Sequence, residues 1–152
     1  MPENIQENRF VEDPGIEYLA GFFDGEGCVS IARIRRSRIN PNHNDVYNVA
    51  LSVSQVDQEI LECYQRRWGG PIYSQAPSRN ITAKRQLYVW KPSTTSIKRF
   101  LEEVIPYLRV KREQAELALF LLQQGYGKRK LLGEDVRQKV HVLNGGHANF
   151  KS

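Results

Sequence analysis

Two carboxylates, Asp24 and Glu26, alternate with Gly25 and Gly27 at the end of the apolar run Tyr18-Leu19-Ala20-Gly21-Phe22-Phe23. The apolar positions have helical spacing, so the acids fall on the last turn of a helix, where free carbonyls carry partial negative charge and disfavour a carboxylate. A bound cation is the simplest remedy, and the acids supply oxygen ligands for it. Gly25 and Gly27 let the backbone leave the helix through left-handed or extended conformations, and Gly25 also lets a second backbone approach closely. Asp13 and Pro14 are the expected N-cap and first helical residue.

A basic group follows at once. Cys28 to Arg38 alternates as a strand with Val29 and Ile31 on one face, and since Arg33, Arg35, Arg36 and Arg38 cannot all be inward, several of them must project from it. The alternation slips at Ala32-Arg33, which predicts a bulge. Asn40 to Asp45 is a turn-rich loop, and Val46 to Gln55 then alternates cleanly. Tyr47, Val49, Leu51 and Val53 form its core face, and Asn48, Ala50, Ser52 and Ser54 the other. A small, polar open face beside a strand bearing Ser30 and several arginines makes a floor suited to a duplex groove.

The rest of the chain must position these groups. Asp57 to Trp68 is helical by Ile60, Leu61, Tyr64 and Trp68, and Gly69-Gly70 stops it. Ile72 to Gln75 and Gln86 to Lys91 read as a second strand pair joined by a polar link over 76–85. Pro92-Ser93-Thr94 opens a helix with Ile97, Phe100, Leu101, Val104 and Leu108 in its stripe, broken near Pro106. Arg109 to Gln124 is helical with Ala115, Ala118, Leu119 and Leu122 inward, and Val136, Val140 and Leu143 mark a last short helix.

Composition narrows the function classes. A chain of 152 residues with a formal charge of +5 suits one globular domain with a polyanionic partner. Residues 1–12 are polar and read as a frayed arm, and about 125–152 as a C-terminal helical extension. No run is long and apolar enough to span a membrane, and no secretory leader stands at the N-terminus, so an intracellular setting is expected: archaeal or bacterial cytoplasm, or an organelle matrix. Cys28 and Cys63 are too few for a zinc ribbon and read as small buried hydrophobes. His43, His141 and His147 are isolated, which argues against a histidine-metal nuclease.

The segment Leu19-Ala20-Gly21-Phe22-Phe23-Asp24-Gly25-Glu26-Gly27 resembles the signature of the LAGLIDADG homing endonucleases, with DGEG as its last four residues. The resemblance covers roughly residues 14 to 124 and implies an α+β domain of αββαββα order with a saddle-shaped antiparallel sheet for DNA. It also implies that the motif helix packs on a second copy through Tyr18, Gly21, Phe22 and Gly25. Only one copy of the motif occurs, as in the family's single-motif members, which work as homodimers. Cutting both strands takes two active sites, and a two-fold interface would bring two Glu26 carboxylates together.

The implied activity is a site-specific, metal-dependent double-strand break in a pseudo-palindromic target. The resemblance makes Glu26 and the Gly25 carbonyl metal ligands, Gln55 the residue that orients the attacking water, and Lys111 the cation that stabilises developing charge. Magnesium fits an all-oxygen site, with manganese or calcium as possible occupants. Asp24 is expected to cap or orient. The expected DNA contacts are Ser30, Arg33, Arg35, Arg36, Arg38, Asn48, Ser52, Ser54, Gln75, Arg79, Lys84 and Arg85. The expected partners are double-stranded DNA and a second copy, with no membrane and no organic cofactor. Glu59 departs from the family, where close relatives carry an arginine; Arg112 and Lys84 are candidates to replace it. The alternative is a non-catalytic nucleic-acid-binding protein on the same scaffold, such as an intron RNA maturase or a regulator.

Overall fold

A computed structural model describes residues 9, 10, 12–36, 45–75 and 85–146. Helix α1 (Ile16–Glu26) buries Leu19, Ala20 and Phe23 and ends on Glu26, as its spacing predicts. Its start differs from expectation. The N-cap is Gly15, with no side-chain bond, because Asp13 is drawn instead to the guanidinium of Arg66, whose Nε lies 3.0 Å away. Gly27 leaves the helix in extended conformation (φ −79°, ψ 168°) and opens β1 directly. A Cβ there would lie 2.7 Å from the Phe23 carbonyl oxygen and closer still to its ring, so only glycine permits so abrupt a turn.

Strands β1 (Gly27–Ile34) and β2 (Val46–Gln55) pair antiparallel without interruption from Gly27 opposite Val53 to Ile34 opposite Val46. The predicted bulge is therefore absent, and the apparent slip has another cause. Arg33 keeps the core-side parity of Val29 and Ile31, and it is Ile34, 44% exposed, that lies on the open face. Helix α2 (Gln58–Trp68) is capped by Asp57, whose carboxylate accepts from the Glu59 N–H, and ends at Gly69 and Gly70 with φ of 75° and 97°. Strands β3 (Ile72–Gln75) and β4 (Leu87–Trp90) complete an antiparallel sheet of order β1-β2-β4-β3.

Helix α3 (Thr94–Val104) follows, then a 3-10 turn over Ile105–Tyr107, then α4 (Arg112–Gln123) and α5 (Tyr126–Leu143). Two expectations are corrected here. In α4 the fully buried residues are Ala115, Ala118 and Leu121, while Leu119 and Leu122 are half-buried at the margin of the core. The last helix is not short: α5 has 18 residues, and it buries Gly133, Val136 and Val140 while Leu143 stays 40% exposed.

One face of the sheet is covered by the helices. Its centre is an aromatic cluster of Tyr64, Trp68, Trp90 and Phe100, onto which Phe23 docks edge-on at 5.0 Å from the Phe100 ring. Large rings bury much apolar area at low rotamer cost, so this cluster fixes the pose of α1. The order α1-β1-β2-α2-β3-β4-α3 is the expected αββαββα arrangement. No helix among the described residues is long and apolar enough to cross a membrane.

Candidate active site and nucleic-acid interface

The two acids of the motif meet different fates. Asp24 turns toward the segment before α4. Its Oδ2 accepts the backbone N–H groups of Arg109 and Val110, each at 3.0 Å, and its Oδ1 accepts that of Lys111 at 2.8 Å. Burial pushes the Asp24 carboxyl up, but the amides of Val110, Lys111 and Arg109 outweigh it, so its pKa is lowered. An acid at one helix end is thus neutralised by donors at the start of another. Asp24 caps, as expected, and needs no cation.

Glu26 is exposed and has no hydrogen-bond or ion-pair partner among the described residues. It ends α1 beside Gly25, which is also exposed. The electrostatic argument for a cation therefore narrows to Glu26. Among the described residues no cluster of three or more histidine, cysteine or acidic side chains could hold a metal. One chain thus offers an open carboxylate and neighbouring main-chain oxygens, a hard donor set suited to magnesium or calcium but short of a closed cage.

Lys111 lies at the same helix end. Its Nζ donates to the Asp24 carbonyl oxygen at 2.7 Å, so the half-buried ammonium sits one peptide before Gly25. It stands at the N-cap position of α4, just ahead of the helix. Gln55 ends β2 two residues beyond Val53, the partner of Gly27, at the α1 end of the sheet. Its Oε1 accepts the Val56 N–H at 3.0 Å, which leaves the amide N–H groups free to donate.

Of the two residues expected to replace the family's arginine at Glu59, Arg112 pairs with Glu116 at 3.0 Å, and Lys84 lies outside the described residues. Glu59 itself is approached at 3.6 Å by Arg9 of the N-terminal arm, which also pairs with Asp57. The frayed-arm expectation otherwise falls on residues 1–8 and 11, outside the described ones.

The open face of the sheet carries Ser30 of β1 together with Asn48, Ser52 and Ser54 of β2, all exposed or half-exposed. Gln75 of β3 shares this face, on the parity of Tyr73 and opposite Leu87. Ser52, Ser54, Tyr73, Gln75 and Lys91 line a cleft of about 380 Å³, and the Lys91 ammonium lies 5.9 Å from the Tyr73 ring centroid. Nothing in the sequence sets Lys91 and Tyr73 apart; the pairing of β3 with β4, Tyr73 opposite Val89, brings them to this face. Cys28 is exposed on this face, which corrects its assignment as a buried hydrophobe, while Cys63 is buried.

The arginines divide. Arg33 points to the helix side, where it bonds Asp45 at 2.8 Å and faces Glu134 of α5 at 3.6 Å, so the groove contact expected of it is set aside. Arg35 and Arg36 follow β1, exposed and without partners among the described residues. Arg85 is exposed beside β4 and lines a cleft with Tyr88 and Arg9. Arg38 and Arg79 lie outside the described residues, as do His43 and His147.

Among the described residues the expected interface on α1 is largely uncovered. Tyr18 is 51% exposed with the Phe10 ring beside it at 6.3 Å, Phe22 is half-buried, and a Cβ placed on Gly21 or Gly25 would meet nothing within 4 Å.

No protein-family model matches the sequence, and no curated protein matches it. Solved structures do. The homing endonuclease I-CvuI, in two complexes with DNA, matches at TM-scores of 0.64 and 0.60 with 24% and 26% identity, over 90% and 87% of this chain and 85% and 83% of that one. The archaeal intron-encoded homing endonuclease I-Vdi141I, complexed with DNA, matches at a TM-score of 0.59 with 18% identity, over 90% of this chain and 88% of that one. The LAGLIDADG meganuclease I-AabMI, bound to uncleaved DNA, matches at a TM-score of 0.58 with 19% identity, over 88% of this chain and 46% of that one. The chain has the LAGLIDADG homing endonuclease fold. Within that fold the LAGLIDADG segment is α1, and its acid end, the open sheet face and the largely uncovered helix face are the parts that the resemblance anticipates.

Proposed function

We propose that the chain is one subunit of a homodimeric, magnesium-dependent endonuclease that makes a double-strand break in DNA at a long pseudo-palindromic site. The observation that carries the reading is Glu26: an exposed carboxylate without a partner among the described residues, at the wrong end of a helix for an acid, while its neighbour Asp24 accepts three backbone N–H groups.

Glu26 and the Gly25 carbonyl would hold the metal, which when bound supplies charge neutralisation and an activated water. The chain's own residues do the rest. The free amide of Gln55 donates to a water oxygen and so orients it; an amide cannot take a proton. The Lys111 ammonium presents a donor where negative charge develops on the phosphate. The open face, with Ser30, Asn48, Ser52, Ser54, Gln75 and the neighbouring Arg35, Arg36 and Arg85, meets the groove and its phosphates.

A second copy completes what one chain leaves open. The small residues Gly21 and Gly25 admit close helix approach, and a two-fold axis along this face would set two acid ends side by side. The coverage fits: this chain matches 46% of I-AabMI but 85% of I-CvuI, as one half of the first and one whole chain of the second.

The test is a magnesium-dependent assay on supercoiled plasmids carrying a randomised target library, with Glu26→Gln beside the native chain. Linearised plasmid from the native chain, lost in Glu26→Gln with DNA affinity kept within a few-fold, is the expected result. DNA binding without any cleavage in magnesium or manganese would instead make the chain a binding protein.

A further inference from the structure

Asp24 presents more than a cap. The turn of residues 109–111 that leads into α4 has backbone N–H groups outside any helix or strand ladder, and they are met by a side chain from the end of the motif helix. Three amides in a row, of Arg109, Val110 and Lys111, converge on one carboxylate at 2.8 to 3.0 Å. The return bond comes from the last of these residues, whose Nζ reaches the Asp24 carbonyl at 2.7 Å. Residue 111 is therefore held at both its main chain and its side-chain tip by residue 24.

This closed ring has a chemical consequence. A free lysine side chain has many rotamers, and fixing it requires an anchor. Here both anchors belong to the residue two before Glu26, so the ammonium keeps station relative to that carboxylate. Three of the roughly four acceptor sites of the Asp24 carboxylate are taken by these amides, which leaves little of it to offer a metal.

We propose that Asp24 is the positioning residue of the site, acting through Lys111 and not as a metal ligand. The inference rests on the proposed endonuclease activity. A carboxylate-to-amide change retains one acceptor oxygen but puts an NH2 group against one or two of the three N–H donors, so the turn and its lysine shift. A misplacement of this order lowers a chemical step by about 100-fold.

The experiment is a double-mutant cycle in single-turnover plasmid cleavage, with DNA affinity and calcium binding by the protein–DNA complex measured alongside. Asp24→Asn should slow cleavage by about 10- to 100-fold with DNA and calcium binding within a few-fold of native. Lys111→Met should slow it too, and the double variant should be no slower than Lys111→Met alone, because a residue that acts only through its partner adds nothing once the partner is gone. If Asp24→Asn fails to fold, Val110→Pro deletes one of the three donors on an exposed turn, and Lys111→Met should absorb that loss in the same way. Multiplicative losses, a native rate in Lys111→Met, or calcium binding lost in Asp24→Asn as in Glu26→Gln would each overturn the proposal. A native chain that binds DNA but never cuts it would sink the proposed function alone; retention of calcium binding in Asp24→Asn, against its loss in Glu26→Gln, would still decide whether Asp24 ligates.

Discussion

The buried hydroxyl of Tyr64 on α2 donates to the main-chain carbonyl of Leu19 in the middle of α1. Burial pushes the Tyr64 phenol well above its ordinary pKa, as a neutral donor in an apolar setting requires. The same ring stacks toward Trp90 at 4.9 Å, so polar and apolar contacts fix the helix in one register.

Tyr64→Phe keeps the ring and removes only the bond. A hydrogen bond of this type contributes about 1 kcal/mol net. For a chain of this size that is a fall of about 2–4 °C in melting temperature. An unchanged melting curve would show that α1 is held by packing alone.

Acid should loosen the seat of α5 on the sheet. Arg137 donates to Glu134 at 2.6 and 2.9 Å, and these bonds, with Gln138 and Tyr47, hold its carboxyl at about 2 against the partial opposition of burial. A depressed carboxyl contributes stability that is fully present above its unfolded value of 4.5 and is lost as pH falls toward 2. Stability measured by urea melts should decline across that window, and Glu134→Gln should flatten the decline. An identical pH profile in both proteins would remove α5's charge network as its cause.

Much of this was legible before any coordinates, for physical reasons. The end of α1 was readable because two acids at a helix C-terminus break an electrostatic rule, and β2 because both its faces alternate without exception. What the sequence hid were partners far along the chain. Arg33 sits on the core side because Asp45 and Glu134 neutralise it there, so its charge looked like an outward signal and Ile34 like an inward one. The donors for Asp24 come from residues 109–111, and only they show that one of the two acids needs no cation. The apolar spacing shows only the end of helix α5 because its first two turns bury almost nothing; its seat on β2 is Gly133 against the Tyr47 ring, a contact made by the lack of a side chain.

The largely uncovered face of α1 predicts how assembly can be broken without harming the subunit. Gly21 has open space where a Cβ would go, and replacing a helical glycine by leucine gains up to about 1 kcal/mol of helix propensity. Gly21→Leu should therefore keep its helical circular dichroism yet sediment as a 17.6 kDa monomer, where the native chain sediments at twice that mass. Linearisation of plasmid should be lost with the dimer. A native chain that is already monomeric and linearises plasmid would rule out the shared helix interface.

The last expectation separates arginines that the sequence treats alike. Arg35 and Arg36 are exposed and unpaired among the described residues, whereas Arg33 is drawn to the helix side by Asp45 and Glu134. A lysine or arginine on a phosphate releases condensed counterions, so losing it lowers the salt slope of log affinity by about 0.9. An arginine on a guanine edge instead costs about 1–3 kcal/mol and relaxes preference at one pair of symmetric positions. Arg35→Ala is expected to show the second pattern and Arg36→Ala the first. Arg33→Ala should show neither, and should weaken thermal stability through loss of the Arg33 contacts with Asp45 and Glu134. Affinities on a panel of duplexes at several salt concentrations decide the matter: if Arg33→Ala lowers the salt slope as much as Arg36→Ala, the arginine has left its carboxylates for the DNA and the division of the sheet into two faces fails at that position.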